Sequence, residues 1–148
     1  MTGRREYPER PMVGVGGVVI ANDRVLLIRR GSAPLKGEWS IPGGMLEIAE
    51  TIVQGVQREM LEETAIEVQV LDLIEVFERI SVEEGGRTKY HFVILDYLCE
   101  LVRGEPRAGS DVTDVAWAAE ADLAQFSLTP TATRVIQKAF KLARDRKS

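Results

Sequence analysis

Apolar and polar positions alternate along this chain at two different periods, and the switches between them mark out its elements. Val13–Ile20 is a β-rich apolar run, and Asn22-Asp23 turns it into a second run, Val25–Arg30, a hairpin-like start. Gly31–Glu38 reads as a loop. Residues 39–44 read as a short strand breaking into a glycine turn, because Pro42 fixes one dihedral and Gly43 and Gly44 admit positive φ. The period then changes. Val53, Val56 and Met60 recur at helical spacing, and Thr51 with Gln54 fits a capping box that starts a helix. Glu67–Val82 is a strand long enough to require a bend or bulge. Glu83-Glu84-Gly85-Gly86 turns it into another long strand, Lys89–Val102. After a Gly/Pro loop, Arg103–Ser110, comes a strand, Val112–Ala118. Pro130–Arg146 closes the chain as a helix with Thr129 as N-cap, Pro130 at N1 and a basic last turn. Its Val135, Ile136, Ala139, Phe140, Leu142 and Ala143 form the face to be buried. Two helices around these strands predict an α/β fold, an α/β/α sandwich, with the strand order left open.

The polar positions of the first helix change the picture. Glu59, Glu62 and Glu63 fall within about one turn, at offsets of three and four that bring side chains together on one face. Each like-charged pair costs an isolated helix roughly 0.2–0.5 kcal/mol. The cluster also lies near the C-terminal end, where the macrodipole disfavours negative charge. Arg58 offsets only part of this through its i,i+4 pairing with Glu62. A divalent cation would relieve the rest, and all-oxygen donors favour Mg²⁺ or Mn²⁺ over zinc. The glycine turn upstream can aim a carbonyl, such as that of Gly43, at the same ion. Gly55 inside the helix costs about 1 kcal/mol against Ala, tolerable where another backbone approaches closely.

Residues 44–66 read Gly44-x5-Glu50-x7-Arg58-Glu59-Met60-x-Glu62-Glu63-x-Ala65-Ile66. This resembles the signature of the Nudix hydrolases, Gly-x5-Glu-x7-Arg-Glu-U-x-Glu-Glu-x-Gly-U with U a bulky aliphatic. Those enzymes cleave nucleoside diphosphates linked to another moiety. Every fixed Glu and Arg position is met. Ala65 stands where the family has Gly, and Ala49 replaces the Gly that commonly precedes the first Glu. Gly past a helix end supplies the left-handed residue of a C-cap, and Ala there costs about 1 kcal/mol if φ is positive. A helix ending by another route is the expectation at Ala65. The resemblance implies a Nudix-type α/β/α sandwich with a mixed sheet and a Mg²⁺-dependent pyrophosphohydrolase, Mn²⁺ being the other candidate cation. It further implies that Gly43, Glu59, Glu62 and Glu63 hold the metal. Glu59 or a loop acid such as Asp111 would take the proton of the attacking water, Arg58 would orient the carboxylates, and Glu50 would buttress the loop or bind metal through water. Arg30, and less so Arg29, are candidates for a substrate phosphate, as the family often places an arginine there. Trp39 is one of several aromatics, with Phe77, Tyr90 and Phe92, that could stack on a base.

Composition bounds the function. With 148 residues and 45% apolar content, the chain has the size of one domain with a real core, expected over 1–148. A formal charge of −4 argues against nucleic acid polymers and acidic membranes as partners. No apolar run suits a bilayer, and the start of the chain lacks the apolar core of a secretory signal, so a cytoplasmic location is expected. Cys99 is the lone cysteine and His91 the lone histidine, which leaves no internal disulfide and no Ser-His-Asp or Cys-His arrangement. Both sit in an apolar strand and read as packing residues, as does Gly14-x-Gly16-Gly17, which no helix follows. Asp114 reads as a turn former beside the more suggestive Asp111.

The substrate class is a nucleoside diphosphate derivative: an ADP-ribose-like compound, a nucleotide sugar or a nucleoside triphosphate. A noncatalytic nucleotide sensor on the same fold is the rival from another class, against which the full carboxylate set argues. A prenyl diphosphate isomerase would need a reactive cysteine. Oligomeric state is open, with a homodimer among the arrangements the sequence allows.

Overall fold

In a computed structural model, residues 5–32 and 35–147 are described. The first four residues of the N-terminal stretch, and residues 33 and 34 of the expected loop, lie outside them. Among the described residues the strands are β1 (Met12–Ala21), β2 (Arg24–Arg30), β3 (Trp39–Ser40), β4 (Gly43–Met45), β5 (Glu67–Val82), β6 (Thr88–Arg103) and β7 (Val112–Ala119). The helices are α1 (Ile52–Thr64) and α2 (Pro130–Lys147), with a 3-10 helix at Glu120–Phe126 that the apolar pattern does not announce. No helix among the described residues is long and apolar enough to cross a membrane.

The strands form one mixed sheet in the order β3-β2-β1-β6-β5, with β4 also paired to β1 and β7 to β2. The β1–β2 hairpin turns on Asn22 and Asp23, both at positive φ (51° and 61°), as a tight turn matching strand twist requires. The pairing that sequence leaves open is β1 with β6: it is parallel, and sets Gly14 beside Ile94 and Gly16 beside Asp96. The expected bulging of β5 is real, with register shifts against β6 between Val70 and Glu75.

Strand alternation sends the two faces of β1 to different helices. Val15 and Val19 pack with Val56 and Met60 of α1, while Val18 packs with Val135, Ile136, Ala139 and Phe140 of α2. The α/β/α sandwich follows. Thr129 caps α2 through its hydroxyl, which accepts from the Ala132 amide at 3.1 Å.

At α1 one expectation is corrected. Val53 is 47% exposed, so it is no part of the buried stripe. The buried arc holds Val56, Glu59, Met60 and Glu63, and Ile52 packs beside it in place of Val53. At 100° per residue Ile52 falls within that arc and Val53 on its rim. The space a side chain at Gly55 would need is taken by the side chains of Leu46, Glu50 and Val15, not by a backbone. The capping box is present in both directions, Gln54 amide to Thr51 hydroxyl at 3.1 Å and Thr51 amide to Gln54 Oε1 at 2.9 Å.

The helix ends as a glycine-capped helix would. Ala65 takes φ 63°, and its amide donates to the Leu61 carbonyl at 3.0 Å. Ala49 is also left-handed, at φ 67°. Both residues carry the steric cost of that region, roughly 1 kcal/mol or more for a side chain with Cβ. Ala65→Gly relieves it, less the greater freedom glycine gives the unfolded chain. The expected net gain is about 0.5–1 kcal/mol, seen as a higher urea midpoint at unchanged m-value. An unaltered or lower midpoint would show that the αL strain at Ala65 is absent.

Candidate active site

β4 and the second half of α1 make the centre of the site. Gly43 and Gly44 lie in that strand without positive φ, not in the expected turn, because they pair with Gly16 and Val15 of β1. Glu59 and Glu63 share the buried edge of α1, whereas the Glu62 side chain is half exposed. Gly43 and Gly44 lie across them. The Gly43 amide donates to Glu63 Oε1 at 2.8 Å. A Cβ on Gly44 would stand within 2.6 Å of the Glu59 carboxylate, and one on Gly43 would collide with the Val15 carbonyl. Only glycine lets β4 sit between β1 and these carboxylates.

Two arginines hold the acids in place. Arg58 Nε donates to Glu50 Oε2 at 2.5 Å and its Nη2 to Glu50 Oε1 at 2.9 Å. Its Nη1 reaches Glu59 at 2.7 Å and Glu62 at 3.1 Å, and its Nη2 the Met45 carbonyl at 3.0 Å. The hydrogen bond from Arg58 holds the Glu50 carboxyl below its ordinary range. Arg30 acts on the other acid. Its guanidinium donates to Ser40 Oγ at 3.0 Å, to the Ile41 carbonyl at 2.9 Å, to the Gly43 carbonyl at 3.2 Å and to Glu63 Oε2 at 2.9 Å. In this arrangement Arg30 fastens residues 40–43, at the start of β4, to α1, a task the sequence did not suggest.

The four expected metal donors are therefore neighbours, but no three His, Cys, Asp or Glu side chains among the described residues converge into a ligand shell. Glu63 is turned to Arg30 and Glu59 to Arg58. The chemistry of the set still fits a hard divalent ion: carboxylate and carbonyl oxygens with neither sulfur nor imidazole among them. Burial pushes the Glu59 carboxyl up, and pushes that of Glu63 up to about 7 against the pull of Arg30 and the Gly43 amide.

That shift has a measurable sign. Glu63 titrates near 4.5 when unfolded and about 7 when folded, so between those values the folded chain binds more protons. Stability of the metal-free protein should then fall as pH rises from 5 to 8. The neighbours Glu59 and Asp111 push in the same direction as burial. A melting temperature lower by on the order of 5 °C at pH 8 than at pH 5 in EDTA is expected, with recovery on adding Mg²⁺ at pH 8. A melting temperature that rises between pH 5 and 8 in EDTA would contradict it.

Asp111 reaches the site from the loop before β7. That loop is strapped over the end of α1: the Arg107 amide donates to the Thr64 carbonyl at 2.9 Å and the Gly109 amide to the Glu63 carbonyl at 3.1 Å. These bonds satisfy carbonyls the helix end leaves open. Asp111 accepts from the Ser32 hydroxyl and lines the same cleft as Arg30. Asp114 instead accepts from the Val115 amide, exposed on β7.

Arg29 and Trp39 do not join this group. They pair across β2 and β3 and so share a face opposite to Arg30 and Ser40. Arg29 is exposed and donates to the Gly37 carbonyl at 3.1 Å, while Trp39 packs edge-on against Phe126 with ring centroids 5.2 Å apart. Cys99 is buried, and burial drives its thiol up to about 12, the behaviour of a packing residue. His91 lies on β6 opposite Ile80.

A cleft opens from β4 over the α2 side of β1 and β6, lined by Gly14, Gly16, Phe77, Phe92 and Ile94. Two charged residues there, Arg79 and Asp96, escaped the sequence reading. The signal for them was available: glycines at alternate positions inside a strand mark a face kept clear for something to approach.

The geometry and the signature agree with the family comparison, in which the NUDIX domain model matches residues 10–139. The chain belongs to the Nudix family. Among solved structures it is similar to a MutT NUDIX hydrolase from Burkholderia pseudomallei, at 32% identity and a TM-score of 0.76 over 88% of this chain and 98% of that one. Among curated proteins it is similar to an ADP-ribose pyrophosphatase of Methanocaldococcus jannaschii, 32% identical over 70% of this chain and 59% of that protein. It is likewise similar to the 8-oxo-dGDP phosphatase NUDT18 of Mus musculus, 36% identical over 63% of this chain and 28% of that protein. The chain thus aligns with little more than half of the first of these relatives and less than a third of the second.

Proposed function

We propose that this protein is a Mg²⁺-dependent pyrophosphohydrolase that cleaves the phosphoanhydride of a nucleoside diphosphate derivative, with ADP-ribose-like compounds first among the candidates. The observation that carries this is the pair Glu59 and Glu63, held on one edge of α1 against Gly43 and Gly44, which themselves line an apolar cleft on their other side. The oxygens of Glu59, Glu62, Glu63 and the Gly43 carbonyl are the donors for the metal. A divalent cation bound there neutralises phosphate charge and lowers the pKa of a bound water, with Mn²⁺ able to substitute.

The chain's own residues supply position and a proton acceptor. Arg58 keeps Glu59 and Glu62 on one side of the site, and Glu50 keeps Arg58 there. Arg30 holds the Gly43 carbonyl and Glu63 together. Water adds to one phosphorus, the bond from that phosphorus to the bridging oxygen breaks, and the water's proton passes to a carboxylate. Glu59 or, from the loop before β7, Asp111 is our candidate for that acceptor. The similarity to an ADP-ribose pyrophosphatase supports the substrate class, as does the apolar lining of the cleft beside β4.

The test is a screen with Mg²⁺ and with Mn²⁺ over ADP-ribose, nucleotide sugars, and canonical and oxidised nucleoside di- and triphosphates, with the nucleoside monophosphate product resolved by anion-exchange chromatography. Metal-dependent turnover of an ADP-ribose-like compound is expected. Saturable nucleotide binding with no turnover across the panel would replace the hydrolase by a sensor.

A further inference from the structure

Asp96 is a buried carboxylate in the wrong place for a core. It is 3% exposed at the middle of β6, and among the described residues it has no hydrogen-bond partner. No side-chain oxygen or nitrogen among the described residues is both sealed in and unpartnered, so the Asp96 carboxylate opens onto the cleft it lines, where an acceptor without protein donors is available to a ligand. Burial holds its carboxyl up to about 7 against the opposing pull of Arg79 and Arg30, with Glu75 adding to the rise. Arg79, on the neighbouring strand β5, is a countercharge that acts on it without a hydrogen bond.

The carboxylate also has its place cleared for it. Asp96 pairs with Gly16 on β1, and Gly16 pairs with Gly43 on β4. A Cβ on Gly16 would collide with Asp96 Oδ1 and stand 3.2 Å from the Pro42 carbonyl. Asp96 therefore leans over Gly16 toward β4 and the Pro42 carbonyl, and its carboxylate faces the cleft. Around it the cleft is apolar: Phe77, Phe92 and Ile94 share the lining with Asp96 and Arg79.

We propose that Asp96 is the specificity-determining acceptor of this site, taking two adjacent hydrogen-bond donors on the nucleoside while Phe77 and Phe92 flank it. The inference rests on the nucleotide reading above. A carboxylate presents two oxygens side by side and accepts a matched pair of donors best. Two parts of a nucleotide carry such a pair: the vicinal 2′,3′-hydroxyls of ribose, and the ring N–H with its neighbouring amino group on guanine. A site built around a buried acceptor rejects analogues lacking the donors far more strongly than an apolar pocket can, because the acceptor is then left unpaired.

The experiment is calorimetric titration of wild type and Asp96→Asn with nucleoside monophosphates, which needs no turnover. One arm compares AMP with 2′,3′-dideoxy-AMP, the other GMP with IMP. For wild type, loss of the donors in one arm should weaken binding at least about ten-fold. In Asp96→Asn that ratio should fall to within about two-fold, the donor-poor ligand binding as it does to wild type. The arm that collapses names the source, sugar or base. Should Asp96→Asn fail to fold, Gly16→Ala, which pushes a methyl against the carboxylate, is expected to erase the same ratio. Wild type indifferent in both arms, or a variant that weakens all four ligands by one common factor, overturns the proposal. Turnover of the nucleotide panel by wild type is read separately, so a failed specificity test leaves the hydrolase reading standing and a failed screen is recognised as such.

Discussion

Glu63→Gln is expected to lower turnover by about two to four orders of magnitude while leaving the folded structure in place. The side chain touches three things at once: the Gly43 amide at 2.8 Å, the Arg30 guanidinium at 2.9 Å, and the buried edge of α1 that carries Glu59. Gln keeps the volume and can still accept from the amide, so packing survives. It removes the negative charge on which a dication depends, and leaves Arg30 paired only with neutral oxygens. Stability should change little or even rise at neutral pH, because burial already drives this carboxyl toward its protonated form. Glu62→Gln is expected to lower turnover in the same way with less effect on folding, since that side chain is half exposed. Steady-state rates on the best substrate of the panel, with circular dichroism of each variant, decide the matter. Near-normal Mg²⁺-dependent rates in both variants would remove these acids from the metal site.

Arg58→Met is expected to cost about 2–3 kcal/mol of folding stability, and to lose activity besides. Arg58 is 21% exposed and sits among carboxylates of which Glu50 and Glu59 are only 12% and 11% exposed. Met fills much the same space, so the loss isolates charge from packing. Removing the shared cation leaves Glu50 and Glu59 facing each other with little water to screen them. Their remaining exposure keeps the figure below the upper range for a fully buried pair. For a chain of this length the melting temperature should fall by roughly 4–12 °C. The loss should shrink at pH 5, where Glu59, its carboxyl raised by burial, takes up a proton more readily. A variant that melts with wild type at pH 8 would show that the arginine is not the partner these acids rely on.

How far the site was legible depended on whether its parts lie in one element. Glu59, Glu62 and Glu63 could be placed together because a helix fixes neighbours at three and four residues. The capping box follows from equally local rules; the αL residue after Thr64 did not, because Ala65 holds that conformation against its own preference where the sequence pointed to another ending. The role of Arg30 was not legible. Strand alternation separates it from Arg29, but its partners Gly43 and Glu63 are 13 and 33 residues away in sequence. Trp39 likewise reads as a base-stacking aromatic until the 3-10 helix brings Phe126 against it.

Asp96 marks the boundary most sharply. In sequence it is one polar residue in a long apolar strand, and alternation alone would have turned it toward solvent or core with equal reason. The β1–β6 parallel pairing sets it beside Gly16 and makes it the floor of a cleft. Short-range geometry, being written in the order of residues, was enough to determine the long strands, the two α-helices, and the crowded acids of the signature helix. Which strands meet, which arginine grips which acid and where the cleft runs were decided only by the tertiary structure, because those contacts join residues whose separation along the chain carries no information about their distance in space.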